Sequence, residues 1–367
     1  MDMTYDTIVI GGGQSGLATG YHLAKLGRSF VILDRHPQLG DAWRTRWDSL
    51  RVFTPARYDG LPGMRFPAPR LSFPTKDQVA DYLAAYAKRF NLPVRAGVSV
   101  DCLKWSGDSF ELATSAGAMR AENVVIATGA SQSPKVPTFA SQLSSDITQM
   151  HSSAYKRPAQ LRDGAVLVVG LGNSGAEISY EVCRSHKVFV SGSPAGEIPS
   201  PDSAMAALVL PIMYFLATHL LTLDTPVGRK VLPAIHGQAV PLGRTKVKHL
   251  VAAGVERVAR VSGIQDGLPL LADGRALEVA NVIWCTGFRT DFSWADLPGA
   301  FAPSGVPIQY RGVVASQPGL YFVGQEFQYA FVSDVLPGVG RDAAYVVRQI
   351  AGRAKLAGST RITVAPQ

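Results

Sequence analysis

Two stretches of this chain carry the same strand, glycine turn and helix, and few folds accommodate that pattern twice. TIVIGGGQSGLATGYHLAKLG opens the sequence with Gly11-x-Gly13-x-x-Gly16, and GAVLVVGLGNSGAEIS repeats it as Gly170-x-Gly172-x-x-Gly175, 159 positions downstream. In both, β-branched and apolar residues precede the turn, as in a strand buried on both faces. The first glycine permits the tight turn, the second lets the backbone approach a pyrophosphate, and the third brings helix against strand. The unpaired amides and positive end of the helix then meet the anion. Gln14 and Ser15 in the first unit, and Asn173 and Ser174 in the second, open those helices and are cofactor-binding candidates.

The two units end differently. SFVILDR supplies the second strand of the first unit, and Asp34 closes it 23 positions after Gly11. A carboxylate there accepts hydrogen bonds from ribose hydroxyls, and Arg35 beside it is a further candidate. The second unit ends in Ser191–Gly192–Ser193, with no carboxylate to repel a 2′-phosphate and no arginine in its place. NADPH is therefore accommodated and NADH remains open.

The expected fold is α/β, with two Rossmann-like dinucleotide-binding domains. Each carries a small antiparallel β meander. VRAGVSVDCLKWSGDSFELATSAGAMRAENVVI alternates and turns at Ser106–Gly107–Asp108, and ERVARVSGIQDGLPLLADGRALEVANVI turns at Asp266–Gly267 and Asp273–Gly274. Strands are expected at 187–190, 255–264 and 279–285.

The net charge of +8 is spread without any run of five or six basic residues, which argues against nucleic acid. Cys102, Cys183 and Cys285 lie far apart and form no C-x-x-C, so neither a zinc site nor a dithiol redox pair is expected. His22, His236 and His249 have no metal-ligand spacing, and no metal is expected. MDMTYDTIVIGGG enters a strand directly, without a signal-peptide pattern, and a cytoplasmic location is expected.

SAMAALVLPIMYFLATHLLTL, 203–223, has no charged residue and is long enough to span a bilayer. Pro211 interrupts it, and strands before and after it belong to one domain, so a span is not expected. A buried or dimer-forming helix pair is the first reading. A lid or membrane-surface helix, with Arg229 and Lys230 facing anionic headgroups, is the second.

The whole pattern resembles the two-dinucleotide-binding-domain flavoproteins, which bind FAD in the first fold and NAD(P)H in the second. VVIATGA (124–130), with Thr128 and Gly129, resembles the segment where their chain leaves the FAD domain. VIWCTGF (282–288), with Thr286 and Gly287, resembles its counterpart on return. GLYFVGQ (319–325) is similar to the last FAD-side strand, whose Gly324 approaches the cofactor, and GVGRDAAYVV (338–347) follows as a helix start. The resemblance implies that the second domain, over 150–283, is inserted into the first, over 1–140 and 284–367.

Within that superfamily the chain lacks the cysteine pair of the disulfide reductases. It resembles the flavin-containing monooxygenases, including the compact bacterial members and the plant YUCCA-type enzymes. GDAWRTRWDSLRVFTPARYDGLPGMRFP (40–67) places Trp43 in the GxxW position and Leu61–Pro62 in the LPxxxFP position. Trp43 is assigned to flavin contact and Trp47 to the core. MHSSAYKRP (150–158) matches the C-terminal half of the family fingerprint at His151 and Tyr155. Its front half departs, with Ser145 and Ile147 where an aromatic and a glycine stand in the family, and Phe53, Thr54 and Arg57 occupy the region of the animal enzymes' asparagine. Tyr155 in place of a Trp-Pro or Trp-Asp pair argues against a Baeyer–Villiger enzyme.

The resemblance implies that NAD(P)H reduces FAD and that O2 adds to form a C4a-hydroperoxyflavin. This oxygenates a small, apolar substrate at sulfur, nitrogen or activated carbon. The alternative is a reductase or oxidase passing electrons to a quinone, a protein acceptor or O2. A nucleotide-binding redox sensor is a third reading. Such a site needs no acid–base triad, so no catalytic residue is assigned. His151 is the weak candidate, read first as a histidine pinning the two domains together.

Overall fold

The computed structural model describes residues 3–198, 204–235 and 240–361. His236, position 203 and the tail ITVAPQ lie outside the described residues. β1 (Met3–Ile10) runs into the first glycine turn, α1 (Gln14–Lys25) leaves it, and β2 (Phe30–Asp34) returns parallel to β1. Val9 enters one hydrophobic core and Ile8 the other, both fully buried, so helices or loops cover both faces of the sheet. That is why the strand reads as a continuous apolar run; each such side chain contributes roughly 2 kcal/mol.

The one-turn α2 (Asp41–Arg44) precedes α3 (Lys76–Arg89), which a reciprocal Thr75–Gln78 capping box starts. β3 (Val94–Ala96) joins β2, and β4 (Val100–Trp105), β5 (Phe110–Thr114) and β6 (Gly117–Ile126) form the antiparallel meander. β6 also runs parallel to β1 along its length, from Met3↔Met119 to Ile10↔Ile126, so the meander and the parallel layer are one sheet.

The chain then passes through β7 (Ser133–Pro134) into a second sheet. Its strands are β8 (Thr148–His151), β9 (Val166–Val169), β10 (Val188–Ser191), β11 (Glu256–Val258) and β14 (Asn281–Trp284). They lie in the order β11-β10-β9-β14-β8, all parallel. α4 (Asn173–Val182) joins β9 to β10, and α5 (Ala204–Phe215), a π turn at Leu216–Leu220, α6 (Pro226–Ile235) and α7 (Val247–Ala252) lie between β10 and β11. α5 continues through Pro211 rather than stopping there.

The stretch read as one strand at 255–264 divides. β11 belongs to the parallel sheet, whereas β12 (Val261–Gln265) turns away to pair with β13 (Leu268–Leu271) as a hairpin. Its turn sits at Asp266–Gly267, both at positive φ. On return, β15 (Phe288–Arg289) pairs antiparallel with β7, so the outgoing and incoming segments run side by side. β16 (Ala295–Asp296) then joins β4, and β17 (Leu320–Phe322) joins the end of β6. α8 (Leu336–Arg361) packs back along α1.

Candidate functional site

The two glycine turns are superimposable in their chemistry. At Gly11, φ is +111° and a Cβ would lie 2.5 Å from the Ala127 carbonyl oxygen. At Gly170, φ is +105° and a Cβ would lie 2.3 Å from the Cys285 carbonyl oxygen. The third glycines repeat the match, since a Cβ on Gly16 or Gly175 would collide with the carbonyl of Gly11 or Gly170. Gly13 opens onto space free of other protein atoms within 4 Å, as the second glycine of a phosphate cradle must.

Neither helix has a side-chain N-cap. Gly13 and Gly172 occupy the cap positions, so the first-turn amides of α1 and α4 have no intrahelical or capping partner. Unpaired donors at a positive helix end beside a glycine gap fit a pyrophosphate. Ser15 is buried, and its hydroxyl lies where a Cβ on Gly324 would fall, at 2.1 Å. Gly324, at the end of β17, therefore closes one wall of the first cradle. The Gln14 amide donates to the Asp334 carbonyl at 3.3 Å, which brings the segment ahead of α8 to the other side.

Asp34 sits at the end of β2, almost buried. Its Oδ2 accepts from the Gly12 amide at 2.7 Å, and its Oδ1 accepts from the His36 amide at 2.8 Å and lies 2.9 Å from His36 Nδ1. The carboxylate thus steadies the glycine loop. Arg35 is exposed. The Thr128 hydroxyl and Gly129 carbonyl both accept from the Gln132 amide, and Thr286 donates to the Lys135 carbonyl. These bonds fix the two crossover segments beside the cradles.

The second cradle departs from its twin at two points. Asn173 is engaged by the 240–243 backbone, donating to Val240 and Pro241 and accepting from Gly243 at 3.0 Å. Ser191 is 1% exposed; its hydroxyl donates to the Ala259 carbonyl and accepts from the Val261 amide, both at 3.0 Å. It is a strut between β10 and the β11–β12 connection. That connection carries the exposed Arg260, which linear reading missed because it lies 69 positions from Ser191 and reaches it through strand order. Ser174 lies in the first turn of α4, half-buried.

His151, at the end of β8, uses both ring nitrogens. Nδ1 accepts from the Ser153 amide, which leaves Nε2–H to donate to the Gly287 carbonyl at 2.9 Å. Burial lowers its pKa. The histidine ties β8 to the returning crossover. Tyr155 is fully buried and donates to Glu181. Trp43 packs against the cores of both sheets, and Trp47 is buried within the second. His22 bonds the Gly340 carbonyl through Nε2, and His249 Nδ1 accepts from the Lys246 amide.

A second residue also escaped sequence reading. Asp59 is fully buried, near Tyr82 of α3 and Tyr214 of α5; Oδ1 accepts from Thr54 at 2.5 Å and Oδ2 has no hydrogen-bond partner among the described residues. Burial pushes its pKa up to about 7. No periodicity marks it, since it follows a single 3-10 turn.

The sequence matches the family described as pyridine nucleotide-disulphide oxidoreductase over residues 8–210. The chain belongs to that family. The three cysteines of this flavoprotein are free, unlike the pair that gives the family its name. An oxidoreductase described as CzcO-like from Geobacillus kaustophilus is 38% identical over 95% of this chain and 99% of its own. Indole-3-pyruvate monooxygenase YUCCA1 from Oryza sativa subsp. japonica is 29% identical over 94% of this chain and 90% of its own. A flavin-containing monooxygenase from Stenotrophomonas maltophilia has the same fold, with a TM-score of 0.77, 28% identity, and 96% and 100% of the two chains covered. This flavin-monooxygenase-like flavoprotein is therefore an oxidoreductase with a flavin cofactor that uses a pyridine nucleotide.

Proposed function

We propose that the protein is an FAD-dependent, NAD(P)H-consuming monooxygenase acting on a small, apolar substrate at sulfur, nitrogen or activated carbon. The observation carrying this reading is the pair of matched, uncapped cradles in a chain whose cysteines stand apart. Residues 1–140 and 284–367 would hold FAD, and 150–283 the nicotinamide nucleotide. Gly11, Gly13 and Gly16, with the first-turn amides of Gln14 and Ser15, take the FAD pyrophosphate; Asp34 accepts from its ribose, and Gly324 leaves room for its approach. Gly170, Gly172 and Gly175, with Ser174, do the same for NAD(P)H, and Thr128, Gly129, Thr286 and Gly287 shape the crossover between them. Arg260 supplies the cation for a 2′-phosphate, which favours NADPH.

When bound, the flavin supplies hydride acceptance and O2 activation. The chain's own residues bind, orient and exclude water. Tyr58 and Tyr214 stack at 4.4 Å, roofing the buried Asp59 carboxyl that holds a proton near neutral pH. A water-poor wall of this kind protects an oxygenating species from wasteful decay. His151 orients the crossover and is not placed on the reacting atoms.

The alternative, a reductase or oxidase, gains from Ser145, Ile147 and Thr54, where the fingerprint and the animal asparagine are missing. Reduction with NADPH and then NADH without oxygen, followed by air, separates the two. Less than one H2O2 per NADPH in the presence of an apolar thioether supports oxygenation. One H2O2 per NADPH with and without the thioether supports the alternative.

A further inference from the structure

α5 and the π turn after it are amphipathic the wrong way round. The polar side faces inward: Tyr214 stacks on Tyr58 and donates to the Pro337 carbonyl at 3.0 Å, and the Thr218 carbonyl accepts from Arg341. The largely apolar side faces out. Ile212, Phe215, Leu216 and Leu220 recur at helical spacing and are all exposed, Phe215 to 59% and Ile212 to 53%, with the exposed His219 ring stacked on Phe215 among them. That face is not buried within the single chain, so the first reading, a buried or dimer-forming helix pair, would hold there only through a second copy.

A second stretch extends the surface. Ile308 and Tyr310 are 54% and 55% exposed, and Tyr310 donates to Asp224, just beyond the π turn, at 2.6 Å. Among the described residues fourteen large hydrophobic side chains are exposed, and nine of them fall within 212–227 and 306–310. Scattered exposed hydrophobics are ordinary, but a gathered patch marks an interaction site.

Charge decides what covers it. Arg229 and Lys230 are exposed on α6, immediately downstream. The sole acid within 204–235 is Asp224, and it is taken up by Tyr310, Tyr329 and Arg311. The rim is therefore cationic, on a chain of net charge +8. A second copy docking through a two-fold axis would set this face against itself and bring like charges together. An anionic lipid surface meets both the hydrocarbon and the cations. No helix among the described residues is long and apolar enough to cross a membrane.

We infer that the outward face of α5 and the 306–310 stretch seat the protein on an anionic bilayer, lying in the interface. Tyr214 and Tyr58 lie on the inward side of α5, so, resting on the function proposed above, an apolar substrate dissolved in the bilayer would be delivered beside the buried Asp59 wall.

The test is flotation of the full, flavin-loaded chain with vesicles of phosphatidylcholine alone and of phosphatidylcholine with phosphatidylglycerol. The expected result is salt-sensitive binding to the anionic vesicles. Arg229→Gln with Lys230→Gln should weaken it by roughly thirtyfold, as loss of two interfacial cations does. The triple variant Ile212→Ser, Phe215→Ser, Leu220→Ser should abolish it while retaining flavin. Two results overturn the inference. One is absence of flotation with either vesicle. The other is a wild-type dimer in solution that the triple variant converts to monomer, which assigns the face to a second copy.

Discussion

At the residue scale, the glycines of the first cradle separate folding from binding. A Cβ on Gly16 would lie 1.8 Å from the Gly11 carbonyl oxygen, so Gly16→Ala must disturb the turn itself. Gly13 has φ of −76° and no protein atom within reach of a Cβ, so Gly13→Ala should leave thermal stability of the flavin-free protein within about 0.5 kcal/mol. It should nevertheless weaken FAD binding by roughly tenfold to a hundredfold, because the methyl occupies the pyrophosphate approach. Flavin fluorescence titration reads the affinity, and unchanged binding would remove the pyrophosphate from Gly13.

Asp59 makes a second residue-scale case. Its folded pKa of about 7 lies above the ordinary 3.8, so the folded state keeps a proton that the unfolded chain releases. Stability from this group therefore falls as pH rises from about 4 to 7. Asp59→Asn keeps an acceptor for Thr54 and removes the titration. Its stability advantage over wild type should grow across that window to roughly 2–4 kcal/mol. Denaturant melts at several pH values check this, and a difference that does not vary with pH contradicts it.

At the element scale, the strand–turn–helix units were legible because three signals agreed within about thirty residues: apolar β-branched runs, glycine spacing and helical periodicity. The meander at 94–126 was legible from alternation and a glycine turn at Gly107, which has φ of +99°. Ser191 was not, because a serine at a strand end reads the same whether it faces a ribose or braces Ala259 and Val261. Arg260 was invisible for a related reason: only the β10–β11 pairing places its connection beside Ser191. The orientation of α5 was not legible, because apolar composition says nothing about which face meets the protein. If Arg260 holds the 2′-phosphate as proposed, Arg260→Gln should raise the KM for NADPH by roughly tenfold and leave NADH unchanged. Steady-state kinetics with both nucleotides decide it, and an equal change for both places Arg260 elsewhere.

At the scale of the whole molecule, the excursion from the second sheet is lashed to the first half of the fold. Thr222 bridges Ala330, the Leu223 amide donates to Tyr329, and the Phe331 amide donates to Leu221. Asp224 gathers Tyr310, Tyr329 and Arg311, and Arg311 lies 3.7 Å over the Tyr329 ring. Asp224→Ala removes three partners at once and should speed proteolytic cleavage near 221–225 severalfold, read by limited digestion. An unchanged digestion rate would mean that the backbone bridge alone holds the strap. The strap and the His151–Gly287 bond act alongside the β7–β15 pairing, which joins the outgoing and returning segments.

On the function proposed, a nicotinamide nucleotide in the second cradle would supply electrons to a flavin in the first, and one atom of O2 would reach the substrate. Turnover of methyl phenyl sulfide under 18O2 with NADPH tests it directly. The account expects sulfoxide carrying one 18O atom, formed in step with NADPH oxidation. Unlabelled thioether recovered beside one H2O2 for each NADPH would contradict it.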